Sequence, residues 1–207
     1  MDCWGNTSLT LANCTITGNS AAEDAGGVIC DFGCSGTILN SIVWGNTAPL
    51  APDISLIFGS TLDITYSNVS GGKAAVNVEG ESILTWEPGN IDADPYFANP
   101  NNRDYHLKSQ AGRWDPDSQT WVQDGVTSPC IDAGDPLSPI GWEPFPNGGF
   151  INMGAYGGTP KTSKSYFGEP VCETIVAGDI NGDGQVNRAD LEIMALHWTD
   201  DEPLPLS

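Results

Sequence analysis

Leu11-Ala12-Asn13-Cys14-Thr15-Ile16-Thr17-Gly18-Asn19-Ser20-Ala21 aligns position by position with Ile38-Leu39-Asn40-Ser41-Ile42-Val43-Trp44-Gly45-Asn46-Thr47-Ala48, an offset of 41 − 14 = 27 residues. A third copy, Ile64-Thr65-Tyr66-Ser67-Asn68-Val69-Ser70-Gly71, follows at 67 − 41 = 26, and Cys3 stands one period before Cys30. A repeat of twenty to fifty residues signals a solenoid, array or propeller. This unit is short, rich in β-branched residues, and broken by Gly-Asn and Gly-Gly turns, which favours three short strands per coil over helices or four-stranded blades. Coils stacked about 4.8 Å apart make a parallel β-helix with ladders of like residues: Cys14/Ser41/Ser67, Ile16/Val43/Val69 and Gly18/Gly45/Gly71. The apolar ladder is expected to face the core, and the glycine ladder to sit where each coil turns with positive φ.

Run backwards, the period aligns Met1 with Val28, so the chain opens in mid-coil. An uncovered coil leaves backbone groups and core side chains exposed. The expectation is the C-terminal part of a longer protein, the alternative being that the open edge docks another chain or another copy.

Seven Lys plus Arg against 27 Asp plus Glu give a net charge of −20, which repels nucleic acid and anionic membrane surfaces. Gly, Pro, Asn, Thr and Ser are abundant and only one stretch is amphipathic at helical spacing, so the chain reads as mainly β. No apolar run is long enough to span a bilayer. The first residues, Met1-Asp2-Cys3-Trp4-Gly5-Asn6, do not form a signal peptide, yet six cysteines suit an extracellular setting. The native leader is therefore expected upstream of Met1.

The helical stretch lies near the C-terminus, behind a second motif. Asp179-Ile180-Asn181-Gly182-Asp183-Gly184-Gln185-Val186-Asn187-Arg188-Ala189-Asp190 follows an EF-hand loop. A hard cation needs six to eight oxygens. Asp179, Asn181, Asp183 and Asp190 supply side chains at positions 1, 3, 5 and 12, Gln185 its carbonyl at 7, and Asn187 a water-mediated contact at 9. Gly184 permits the sharp turn at position 6, and Val186 is the apolar plug. Leu191, Met194, Ala195 and Trp198 then form one apolar helical stripe. The cofactor expected is Ca²⁺.

Asp190, where Glu is usual, makes this loop resemble the repeat of type I dockerins, which attach secreted polysaccharide-degrading enzymes to cohesin scaffolds. Dockerins carry two repeats and this chain has one. Upstream, Gly89-Asn90-Ile91-Asp92-Ala93-Asp94-Pro95-Tyr96-Phe97, Asp104-Tyr105-His106-Leu107, Ser128-Pro129-Cys130-Ile131-Asp132-Ala133-Gly134-Asp135 and Ile151-Asn152-Met153-Gly154-Ala155-Tyr156-Gly157-Gly158 depart from the period. These phrases resemble the C-terminal region of secreted right-handed parallel β-helix proteins common in planctomycete-like bacteria, where that region continues and closes the solenoid. Repeat and resemblance together divide the chain into coils over 1–72, an irregular end of the β-helix over 73–168, a linker over 169–178 and a dockerin-like calcium repeat over 179–207, and the stretch from Lys161-Thr162-Ser163-Lys164 through Glu169-Pro170 already reads as linker.

Catalytic residues are not legible. Residues 1–72 contain no Lys or Arg, and their acids, Asp2, Glu23, Asp24, Asp31, Asp53 and Asp63, do not repeat in register to make a carboxylate cluster. Asp92, Asp94, Asp132 and Asp135 read as turn caps, and His106 and His197 as structural residues. Cys30 and Cys34 lack a second ligand pair at zinc spacing. Cys3 and Cys30 stack as a bridge or a thiol ladder, and the connectivity of Cys130 and Cys172 stays open. Trp114, Trp121 and Trp142 are candidates for a sugar-stacking platform, with cap packing as the other reading. The function expected is extracellular attachment, to a cohesin-like or cell-surface protein, or carbohydrate-related binding to a polysaccharide. The alternative is a polysaccharide lyase or glycoside hydrolase whose catalytic coils lie upstream.

Overall fold

A computed structural model of the chain describes residues 1–167, together with Val186, Arg188 and Leu191. The calcium-loop residues Asp179, Asn181, Asp183, Gln185, Asn187 and Asp190 lie outside the described residues, as do Cys172, His197 and the span 169–178. Val186 and Leu191, read as plug and stripe, are both more than half exposed.

The repeat folds as a parallel β-solenoid of about three turns. Its first coil comprises β1 (Asp2–Trp4), β2 (Ser8–Ala12) and β3 (Thr15–Thr17). The second comprises β4 (Val28–Asp31), β5 (Ser35–Leu39) and β6 (Ile42–Trp44), and the third β7 (Ile54–Leu56), β8 (Thr61–Thr65) and β9 (Asn68–Val69). Each strand pairs in parallel with its counterpart one coil on, so that the three sheets run β1-β4-β7, β2-β5-β8 and β3-β6-β9 through these coils. The register is the repeat itself, with Cys3 opposite Cys30, Leu11 opposite Ile38 and Ile16 opposite Val43. The stack runs on past residue 72 through β10 (Asn77–Val78) and β11 (Ile83–Trp86). Thr61 there faces Ile83, a period of 83 − 61 = 22, because a 3₁₀ turn at Gly72–Ala75 replaces the longer excursion of the earlier coils.

All three expected ladders are present, and each has a physical reason. Ile16, Val43 and Val69 belong to the core formed by Leu11, Val28, Ile38, Ile54, Leu56, Leu62 and Ile64, most of them fully buried. Gly18, Gly45 and Gly71 have φ of 66°, 67° and 73°, a left-handed bend that a side chain resists. The Cys14/Ser41/Ser67 ladder covers the bend into the third sheet, where strand pairing lapses. There the Cys14 N–H donates to Ser41 Oγ at 3.0 Å, that of Ser41 to Ser67 Oγ at 3.1 Å, and that of Ser67 to Asn90 Oδ1 at 2.9 Å. Side-chain oxygens thus replace the missing backbone acceptors. An asparagine step adds to this: Asn46 Oδ1 accepts from Asn19 N at 3.0 Å, while Asn46 Nδ2 donates to Ile16 O at 3.0 Å and to Asp53 Oδ1 at 2.7 Å.

Residues beyond the coils fold back along the solenoid. Two antiparallel hairpins, β12 (Phe97–Asn99) with β13 (Asp104–Leu107) and β14 (Arg113–Asp115) with β15 (Thr120–Val122), are followed by a turn-rich segment. Buried Asn40 fastens that segment: its Oδ1 accepts from Asp135 N at 2.7 Å, its Nδ2 donates to Ser138 Oγ at 3.0 Å, and its carbonyl accepts from Gly154 N at 2.8 Å. Asn68 does the same one coil on, bonding both backbone groups of Ala93. Ile42, Leu107, Cys130, Ile131 and Met153 form the apolar seam between coil and segment.

Two readings need correction. The stretch opening at Lys161 does not begin a linker: Thr162, Ser163 and Ser165 are buried, and Asn152 Nδ2 donates to Thr162 Oγ1 at 3.0 Å and to Ser163 O at 2.7 Å. Cys3 stacks on Cys30 in register, yet its disulfide goes to Cys34, with Cα atoms 6.0 Å apart. Cys14, Cys30 and Cys130 are free thiols, and burial pushes Cys30 and Cys130 up to about 11, so both stay protonated and inert.

Candidate functional site

A polar pocket opens between the two hairpins. In β12–β13 the turn Pro100–Asn102 ends at Arg103, whose φ of 60° reverses the chain and sets Asn99, Asn102, Arg103 and Asp104 along one wall. In β14 side chains alternate, so Arg113 and Asp115 join the pocket while Trp114 meets Trp121 at 5.8 Å, edge to face. Asp117 and Tyr156 complete a cavity of about 470 Å³, the size of a small-molecule site.

The wall is fixed from behind by a chain of charge-assisted hydrogen bonds. Arg113 Nη1 donates to Asp104 Oδ2 at 3.3 Å, and its Nε to Asp124 Oδ2 at 3.2 Å. Asp124 Oδ2 also accepts from Ser109 N at 2.9 Å. Asp104 Oδ1 meets His106 Nδ1 at 2.5 Å. Burial holds His106 below its ordinary value, outweighing the neighbouring carboxylate, so the ring is neutral at pH 7 and its Nδ1–H donates to Asp104. The imidazole stacks on the Tyr156 ring with centroids 3.6 Å apart, backing that phenol where it faces the cavity. His106 Nε2 has no hydrogen-bond partner among the described residues and is enclosed. The ring is thus a support, and it is too deeply buried to reach a substrate.

The lining residues comprise two guanidinium groups, three carboxylates, two side-chain amides and a phenol. Arg113 is already committed to Asp104 and Asp124, whereas Arg103 makes no ion pair with the described residues. A Ser118 hydroxyl bond holds Asp115 below the usual carboxylate range, so it remains an acceptor. The lining therefore offers hydrogen-bond donors and acceptors side by side. No group of three His, Cys, Asp or Glu placed to hold a metal occurs among the described residues, and no helix there is long and apolar enough to cross a membrane.

The structure brings together Trp114 and Trp121, with Lys161 5.4 Å over the first ring and Lys164 4.8 Å over the second. Trp142 is 80 % exposed and makes no ring contact with them among the described residues. Asp94 and Asp135 cap their own turns through the N–H groups of Tyr96 and Leu137, whereas Asp92 reaches back to accept from Gly71 N, and Asp132 accepts from Ser165 Oγ. Sequence reading missed Asp104, Arg113 and Asp124, which side-chain contacts bring together only once both hairpins have formed.

Burial pushes Glu143, Asp53 and Asp132 above the ordinary carboxylate range. Glu143 Oε1 accepts from Asn152 N at 2.9 Å and Gly158 N at 2.8 Å, while its other oxygen is enclosed without a partner among the described residues. A carboxyl whose folded value is raised binds more protons in the folded state, so its stabilising contribution is present at low pH and lost as pH rises through that value. Relief of a −20 net charge works in the same direction. The melting temperature is therefore expected to rise as pH falls from 7 toward the carboxylate range. Differential scanning fluorimetry across that window checks it, and a monotonic fall would contradict it.

A family model described as disaggregatase related matches residues 63–134. No curated protein and no solved structure matches the chain. The matched stretch runs from β8 through both hairpins and holds every pocket residue except Tyr156. Over that stretch the chain is similar to the disaggregatase-related family.

Proposed function

We propose that the chain is a carbohydrate-binding β-solenoid, its coils wound right-handedly as nearly all parallel crossovers are, acting outside the cell and tethered by a calcium-loaded C-terminal repeat. The pocket between the hairpins carries this reading. Its donor and acceptor pattern suits vicinal hydroxyls, and the Tyr156 ring, held by His106, supplies a rigid apolar wall. Binding is favoured over bond cleavage because no Ser or Cys hydrogen-bonds His106 among the described residues and the other ring nitrogen is enclosed. A disulfide between Cys3 and Cys34 is in keeping with an oxidising compartment. Calorimetric titration of the full chain with short neutral oligosaccharides tests the pocket. Affinities of roughly 10 µM to 1 mM are expected, weakened at least about tenfold by Asp115→Asn or Tyr156→Ala. Equal affinity in both variants, or release of reducing or unsaturated ends from the sugar, would refute it.

The tail is proposed to hold Ca²⁺ through Asp179, Asn181, Asp183, Gln185, Asn187 and Asp190, and to dock a cohesin-like or cell-surface protein. The donor set is all oxygen and carries three carboxylates, whose mutual repulsion the ion would cancel, coupling binding to folding. Chelation is expected to abolish hydrogen-exchange protection from about residue 175 onward and to spare the solenoid core at Ile38, Leu62 and Ile64. Equal protection of the tail with and without chelator would overturn the calcium reading.

A further inference from the structure

Three aromatic rings project from successive coils at one corner of the solenoid. Trp4 closes β1, Phe32 follows β4, and Phe58 occupies the same bend one coil on. Phe32 stacks on Phe58 with centroids 4.7 Å apart, and Trp4 meets Phe32 edge on at 5.7 Å. All three are well exposed, at 64 %, 50 % and 63 %. Polar rows in strand register follow each ring a few residues on: Ser8 faces Ser35, which faces Thr61, and Thr10 faces Thr37, which faces Asp63. Ser8, Thr10, Ser35 and Thr61 are exposed.

We propose that this corner is a second binding surface, distinct from the pocket, for a neutral polysaccharide strand lying along the coil axis. Residues 1–72 hold no Lys or Arg, so nothing there neutralises an anionic polymer. The rings offer roughly 350 Å² of apolar surface in all, well below the ~800 Å² per partner that a stable dimer needs. That area suits a slender ligand, not a second copy. Flat rings cover the apolar faces of sugar residues, and the polar rows, repeating at the coil spacing, meet their polar edges. A periodic ligand engages each coil equivalently, so affinity accumulates along the polymer as it does between linked sites.

Affinity electrophoresis of the full chain in gels containing a soluble β-glucan, a galactomannan or polygalacturonate tests this. Phe32 and Phe58 have φ of 49° and 50°, a region asparagine tolerates better than phenylalanine. The F32N/F58N variant is therefore expected to fold with an undiminished melting temperature while retardation by a neutral polymer weakens at least about tenfold. The same variant is expected to bind short oligosaccharides as the parent does, which separates failure of the corner from failure of the pocket. Retardation unchanged in the variant, no retardation of the parent by either neutral polymer, stronger retardation by polygalacturonate, or a parent dimer dispersed by the variant would each overturn the proposal.

Discussion

Arg113→Ala is expected to lower the free energy of unfolding by about 3–5 kcal/mol, the cost of leaving buried charges without their partner. Arg113 is the only cation in ion-pair contact with Asp104 and Asp124 among the described residues, and the three side chains are 13 %, 10 % and 11 % exposed. Removing the guanidinium leaves two enclosed carboxylates, one of which also holds His106. Both hairpins then lose the tie that sets the pocket wall, so sugar binding is expected to fail with stability. Acid partly rescues the fold, because a neutral carboxyl costs less to bury than a carboxylate. Urea denaturation of parent and variant at two pH values measures both effects, and a loss below about 1 kcal/mol would place the network at the surface in energetic terms.

Cys3→Ser is expected to cost about 3–4 kcal/mol. The bridge to Cys34 closes a sequence separation of 31 residues, and loop-closure entropy for that length gives a figure in this range. It also pins the first coil to the bend of the second, where β1, β2 and β3 each pair on one side only. Cys14→Ser is the matched control: Ser41 and Ser67 occupy the same rung position, so a hydroxyl fits there, with an effect within about 0.5 kcal/mol. Thermal unfolding with and without reductant separates the two cysteines. A parent insensitive to reductant would contradict the pairing.

The contrast between coils and pocket shows what a sequence can carry. Leu11–Ala21 and Ile38–Ala48 declare the solenoid because each coil repeats the chemistry of the one before, and the register that stacks Ile16 on Val43 is the offset itself. Cys3 and Cys30 were correctly superposed by the same period. The period could not choose Cys34, since the bridge spans a bend and breaks the repeat. Beyond Trp86 no repeat remains, and structure is decided by single contacts of long range. Asn40 reaching Asp135 and Ser138 is one, and Asn152 holding Thr162 and Ser163 is another. The pocket belongs to that class, because Asp104 and Arg113 meet only after two hairpins have formed. Local patterning recovers such strands yet says nothing about which of their faces converge.

Chemical-shift mapping of the full chain during titration with a neutral trisaccharide tests the carbohydrate reading most directly. The largest shifts are expected at Asn102, Arg103, Asp115 and Tyr156, saturating together with a single dissociation constant. Shifts absent up to about 10 mM sugar, or confined to residues remote from the two hairpins, would contradict it.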